Sequence, residues 1–173
     1  DPDIINAFVA VEDKRFWEHH GVDWLAVGRA AKANIRAGQT VSGASTITMQ
    51  LARLLRPAER SWTGKIAQTF WAVRLEAHLG KQQIMEQYLN RVQLGQGTVG
   101  VAAAGALYFG ASASELSIGQ AATLAGLAHA PSRDNPHVSP ARARRRQAVA
   151  LARMRRLGFA TRDDIARVRT ESL

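Results

Sequence analysis

The sequence predicts an all-α fold, on three observations. Apolar residues recur at intervals of three and four along most of the chain, Ala, Leu, Arg and Gln fill the positions between, and runs that alternate like a strand are scarce. The first helix starts with Asp1 as N-cap and Pro2 at its first position, carries Ile5, Phe8, Val9, Glu12, Phe16 and His19 along one face, and closes at Gly21. A second, capped by Asp23, runs to about Ala37 before Gly38. After a turn-rich loop from Gly38 to Gly43, a third carries Ile47, Leu51, Leu54 and Leu55 and stops before Pro57. Ser61 caps a long fourth helix with the stripe Ile66, Phe70, Val73 and Ala77, ended by Gly80, and a short helix with Ile84 and Tyr88 follows. Beyond a Gly-punctuated loop from Arg91 to Gly100 come two Ala-rich helices, about 101–108 and 117–129, both nearly uncharged and therefore expected to be buried. Ser139-Pro140 opens an Arg-rich helix reaching Gly158, and Thr161 with Asp164 forms a weak capping box for a terminal helix.

The chain has 173 residues, 46% hydrophobic and 21% charged, the size and composition of one globular domain over 1–173 with enough chain for a real core. No window of about 18 apolar residues occurs, so the chain as given does not span a membrane. It opens on Asp1-Pro2 without Met, and reads as a piece of a longer protein whose anchor and further domains lie outside it. The absence of cysteine excludes disulfides, Cys-ligated zinc, iron-sulfur clusters and thiol catalysis. A formal charge of +9 favours an anionic partner. Seven arginines between residues 142 and 156, with no acid among them, carry much of it. That stretch lacks aromatic residues for base stacking and no DNA- or RNA-binding motif accompanies it, so no nucleic-acid partner is assigned. A face turned toward anionic lipid headgroups explains the charge at least as well. Trp24, Leu25 and Val27 read first as core packing and second as residues inserting into a membrane interface.

Three stretches break their own pattern. Glu12 falls on an apolar stripe, where a partly desolvated carboxylate is a candidate general base, with His19 two turns along and Asp13 beside it as a cap or ion-pair partner. In the third helix Thr46, Gln50 and Arg53 oppose the apolar stripe, and with Ser45 they offer hydroxyl, amide and guanidinium groups of the kind that orient sugars or phosphates; a solvated face is the plainer alternative. Arg60 and Lys65 bracket the start of the fourth helix, where two cations and the helix dipole favour an anion, and Lys65, Gln68, Ala72 and Glu76 make its polar face. There is no Walker loop, H-E-x-x-H or G-x-S-x-G, and the five histidines have no metal-ligand spacing.

In order and spacing these stretches resemble the peptidoglycan glycosyltransferases, the domain of class A penicillin-binding proteins and monofunctional transglycosylases. The first motif reads Glu12-Asp13-Lys14-Arg15-Phe16-Trp17-Glu18-His19-His20-Gly21 and the second Gly43-Ala44-Ser45-Thr46-Ile47-Thr48-Met49-Gln50-Leu51-Ala52-Arg53. The third runs from Arg60 through Lys65 and Gln68 to Glu76. Tyr88-Leu89-Asn90, Gly100 to Ala104, Tyr108-Phe109-Gly110, Ala130-Pro131-Ser132 and Asn135-Pro136 complete a resemblance covering about Asp1 to Arg156. Where the common third motif is Arg-Lys-x-x-Glu, this chain has Gly64, Lys65 and Gln68, so the family's second acid is absent at its matching position, and Glu76, about 12 Å along the helix, is a candidate replacement. Arg53 stands where Lys is common and Met49 where Gln is usual. The Gly-Lys-x-x-Gln variant most resembles the 1C subgroup of penicillin-binding proteins.

The resemblance implies a lysozyme-like helical lobe with a small membrane-associated jaw at about 20–42, on the periplasmic or extracellular face of the cytoplasmic membrane. It implies lipid II as substrate, with the residue matching Glu12 as the base that takes the proton of the acceptor sugar's 4-hydroxyl. That oxygen attacks the anomeric carbon of the growing glycan chain with inversion, and polyprenyl pyrophosphate leaves. Arg53, Arg60 and Lys65 would neutralise the leaving group, alone or with a divalent cation (Mg or Mn), no cofactor being required. Asp13, Phe16, His19, Ser45, Thr46, Gln50 and Gln68 complete the expected substrate contacts. The membrane surface and, in the full-length protein, a C-terminal transpeptidase domain are the other expected partners.

Overall fold

The computed structural model describes residues 1–39, 43–57, 59 and 61–171. In chain order its elements are α1 (Pro2–Glu12), α2 (Trp24–Ala37), α3 (Ile47–Leu55), α4 (Trp62–His78), α5 (Lys81–Leu89), β1 (Gln93–Gly95), β2 (Thr98–Val99), α6 (Val101–Phe109), α7 (Ile118–Leu127), α8 (Pro131–Asp134), α9 (Pro140–Arg156) and α10 (Arg162–Thr170). The all-α expectation holds, with one small antiparallel hairpin, β1–β2, inside the Gly-punctuated loop. The chain forms two compact units, one of Asp1–Lys14 with Leu89–Leu173 and the other of Arg15–Tyr88.

In the first unit α7 is the centre, packed by α1, α6, α9 and α10. Its small residues let neighbours approach: a Cβ on Gly126 would lie 2.9 Å from the Cβ of Arg146 on α9. The polar groups this buries are satisfied, because the Gln147 amide donates to Gly119 O and Thr123 Oγ1, both at 3.0 Å. Unlike α7, α6 is only half-buried, with Ala102, Ala103 and Leu107 exposed, which corrects the expectation that both Ala-rich helices lie in the core. Ala has no charge to keep out of water and little apolar area to gain by burial, so an uncharged Ala run fits either environment.

α1 starts as expected, the Asp1 carboxylate accepting from the Asp3 and Ile4 N–H groups at 2.7 and 3.4 Å. It ends at Glu12, short of Gly21, where Asp13 leaves helical geometry with φ −157°. Phe16 and His19 are buried from the following turns, which Arg15 ties together through Glu18 (2.7 Å) and Asp23 (3.1 Å). The apolar periodicity runs past the helix because it records burial, not backbone conformation.

Asp134, 2% exposed, accepts from Arg133 Nε and Arg146 Nε, each at 2.8 Å. Those hydrogen bonds, Arg133's first and then Arg146's, hold its carboxyl down to about 2. A depressed carboxylate stabilises the fold fully above its unfolded value, about 3.9, and that stabilisation is lost as pH falls through the folded value. The Asp134→Asn variant is therefore expected to melt below wild type by a constant margin above about pH 4, the margin closing toward pH 2. Urea melts across that range check it; a margin as wide at pH 2 as at pH 7 would reject the ion-pair account.

In the second unit α3 packs on α4 over a small core of Val22, Met49, Ala52 and Ala72, with Val27, Trp71 and Leu75 against it. Gly21 has φ +82°, and a Cβ there would lie 3.0 Å from the Ala72 backbone carbon and oxygen. Gly21→Ala is expected to cost about 1–3 kcal/mol from the left-handed backbone and the crowding together. Chemical denaturation reads this directly, and an unchanged midpoint would mean that the backbone relaxes without penalty.

α4 reverses the usual assignment of faces. Ala72 on its polar face is fully buried and Lys65, Gln68 and Glu76 are half-buried, whereas Trp62 (87% exposed), Ile66, Phe70 and Val73 form an apolar face open to solvent. On α2, Trp24 (70%), Leu25 and Ile35 (80%) are exposed as well. Core packing, the first reading for Trp24 and Leu25, is thereby corrected, and only Val27 of that trio packs inward. Phe16, Ile47, Leu51, Ile84 and Tyr88 are fully buried in this unit, so its exposed apolar side chains form a surface besides an ordinary interior. The stretch 20–42 expected as a jaw falls in this unit, its last three residues outside the described set.

Candidate active site

The second unit gathers most of the expected site residues at the junction of α3 and α4. Thr46 caps α3, its hydroxyl oxygen accepting from Met49 N–H at 3.1 Å while donating to Gly21 O at 2.6 Å, so the start of the helix is pinned to the end of the first motif. Ser45, one residue ahead, is exposed and accepts from Lys65 Nζ at 2.7 Å. Lys65 donates again to Gln68 Oε1 at 3.0 Å, and the Gln68 amide donates to Met49 O at 2.7 Å. A closed chain of hydrogen bonds thus runs Ser45, Lys65, Gln68, α3 backbone.

A neutral amide is well suited to that chain. It accepts from the lysine and donates to a carbonyl at once, which an ionised carboxylate, an acceptor only, cannot do. Lys65 keeps its place without having its charge cancelled. Its pKa is lowered by burial first and by the neighbouring Arg53 cation second. Around it lies a groove of about 150 Å³ lined by Arg53, Arg56, Glu59, Ser61, Gly64, Lys65 and Gln68. Ser61 caps α4 there by accepting from Gly64 N–H at 3.0 Å, and the positive end of the 17-residue helix opens beside the groove. Three cations against one carboxylate give the groove a positive balance, which favours an anion over a cation. Among the described residues no group of three or more His, Asp or Glu could hold a metal ion.

Gln50 accepts from Tyr88 OH at 3.1 Å, which orients its amide. Glu76 does not stand in for the missing acid: its Oε1 accepts from Thr48 at 2.7 Å and from Lys81 at 2.6 Å, and it does not line the groove. Phe16 is fully buried, edge-on to His19 at 6.3 Å and under the Lys81 ammonium at 4.5 Å. His19 is buried too. Glu12 and Asp13 belong to the first unit. Glu12 is the half-buried last residue of α1, and Arg153 donates to the neighbouring Val11 O at 2.7 Å, satisfying a terminal carbonyl of that helix. Arg60 lies outside the described residues.

Sequence reasoning passed over Arg56, Glu59 and Ser61's place in the groove. Arg56 stands three residues after Arg53 with its guanidinium 4.2 Å from the Trp71 ring centre. The i, i+3 spacing of the two arginines was the available signal.

The Transglycosylase family profile matches residues 1–155. Penicillin-binding protein 1A of Aquifex aeolicus is 47% identical over 159 residues, 91% of this chain and 22% of that protein. Penicillin-binding proteins 1A and 1C of Escherichia coli K12 are 44% and 41% identical, each over 99% of this chain and over 20% and 22% of their own lengths. The chain therefore spans about a fifth of these curated relatives. The crystal structure of penicillin-binding protein 1A from Haemophilus influenzae superposes with a TM-score of 0.52 at 29% identity, covering 73% of this chain and 16% of that one, and bears out the lysozyme-like helical class.

Proposed function

The chain belongs to the Transglycosylase family, and from that premise we propose that it polymerises lipid II into peptidoglycan strands at the outer face of the cytoplasmic membrane. The observation that carries this reading is the cationic groove held open by the Ser45–Lys65–Gln68 chain. A glycosyl donor leaving as a pyrophosphate builds negative charge where its anomeric C–O bond breaks, and fixed cations that need no rearrangement stabilise that charge best. Arg53, Arg56 and Lys65 take this role, and Ser45 and Gln50 orient the sugars. Glu12 accepts the proton of the acceptor 4-hydroxyl as its oxygen bonds to the anomeric carbon; polyprenyl pyrophosphate departs from the opposite side, and the configuration inverts.

The open apolar faces of α2 and α4 suit a protein working against lipid, since Trp24, Trp62, Ile66 and Phe70 gain by leaving water at a bilayer interface. No described helix is long and apolar enough to cross a membrane. The test is incubation of the membrane-anchored protein with lipid II in detergent, with product length resolved on a gel. Long glycan chains are expected. Release of soluble muropeptides from finished sacculi would make it a hydrolase, and lipid II binding without chains would make it a binding module.

A further inference from the structure

The seven arginines of residues 142–156 have separate employments. Arg144 donates to Glu171 O at 2.6 Å, Arg153 to Val11 O at 2.7 Å, and Arg146 pairs with Asp134. Arg155 and Arg156 stand exposed in the last turn of α9, where cations complement the helix dipole. Arg142 and Arg145 are left exposed with no hydrogen bond or ion pair among the described residues.

Arg142, Arg145, Arg146 and Val149 lie at i, i+3, i+4 and i+7, one face of α9. With Arg133 and Asp134 of α8 they line a groove of about 360 Å³ in the first unit, four guanidinium groups to one carboxylate. Asp134, with one negative charge, pairs with only two of the four, and by bonding both it fixes the directions in which they point. Arg142 also occupies the first turn of α9, the positive end of the helix, where no acid offsets it. Gathering like charges in one concavity is unfavourable unless an anion enters.

We propose that this groove is a binding site for a phosphate-bearing anion. Guanidinium forks match phosphate oxygens in pairs, and the volume suits a headgroup-sized ligand. Two sources share that chemistry, the headgroup of an anionic phospholipid and a free phosphate compound.

The test uses the whole chain with two probes: inorganic pyrophosphate followed by calorimetry, and vesicles of phosphatidylglycerol in phosphatidylcholine, against phosphatidylcholine alone, followed by co-sedimentation. Arg142→Gln with Arg145→Gln is expected to weaken binding by about tenfold or more, as loss of two charge-assisted contacts should. Arg155→Gln with Arg156→Gln removes the same charge from the same helix and is expected to change binding less than about twofold. The double variants are compared in a Lys65→Ala background, so that pyrophosphate entering the groove of the second unit does not mask the change. Pyrophosphate binding lost in the first variant names a free phosphate as the source, and loss confined to phosphatidylglycerol vesicles names the headgroup. Equal losses in the two double variants would make the attraction a property of the overall +9 charge and overturn the site. So would the absence of binding to either probe.

Discussion

Glu12→Gln is expected to lower chain polymerisation by about a hundredfold to ten-thousandfold, the usual contribution of a positioned general base, while leaving the fold intact. The side chain stands at the end of a well-anchored helix: Phe8 and Val9 are fully buried, and Arg153 holds the Val11 carbonyl in the last turn. An amide of the same shape keeps that helix end and loses only the capacity to accept a proton. Melting temperature should therefore barely move while turnover collapses. Glu12→Asp separates charge from reach, because it retains the carboxylate but withdraws it by about one methylene, a misplacement that costs around a hundredfold where geometry governs. The checks are chain length and lipid II consumption for both variants beside a thermal melt. Near-normal turnover in Glu12→Gln would remove Glu12 from the chemistry altogether.

Glu12 stands out in the sequence locally, as a carboxylate on an apolar stripe whose neighbours form a multi-residue motif, and its role as base is what the Glu12→Gln measurement tests. The caps were legible for the same reason. Asp1, Asp23, Ser61 and Thr161 each accept from a backbone N–H within three residues, so nearby chain suffices to read them, whereas Thr46, read as part of a polar face, also caps α3. The end of α1 was not, since Phe16 and His19 keep the helical spacing while being buried from turns. Their periodicity answers to the packing around them.

The groove shows the other limit. That Lys65 and Gln68 share a helix face follows from their spacing, but the acceptors that fix them, Ser45 Oγ and Met49 O, are about twenty residues away in the chain. From sequence Gln68 is a missing acid. In place it is a two-handed connector, and Glu76, the apparent substitute, is already engaged by Thr48 and Lys81. The stripe Ile66, Phe70 and Val73 carries the same lesson with the sign reversed: an amphipathic pattern says that two faces differ, and which one meets the core depends on what packs beside it. Here α3 takes the polar face because Ala72 permits close approach there.

Lys65→Ala is expected to cut turnover by about a hundredfold to a thousandfold, the size of effect seen when one fixed donor to a developing charge is removed. Neither arginine in the groove replaces it. Arg56 is stacked over Trp71, and Arg53 acts on Lys65 as a like charge that helps to lower its pKa, burial being the larger cause. Pyrophosphate entering the groove would offset both causes and restore the protonated form, so the charge is strengthened where and when it is needed. A pH signature follows. In the free enzyme the alkaline limb of kcat/KM should fall below the ordinary lysine range, since the lowered pKa makes Lys65 lose its proton earlier as pH rises. Lys65→Arg should move that limb out of the accessible range, guanidinium staying charged, while lowering kcat because the fork cannot reproduce the single-point bonds to Ser45 and Gln68. A merely structural lysine would change stability and leave the limb where it was. If Lys65→Ala retains wild-type kcat and an unshifted limb, the leaving group is stabilised elsewhere and the groove has another purpose.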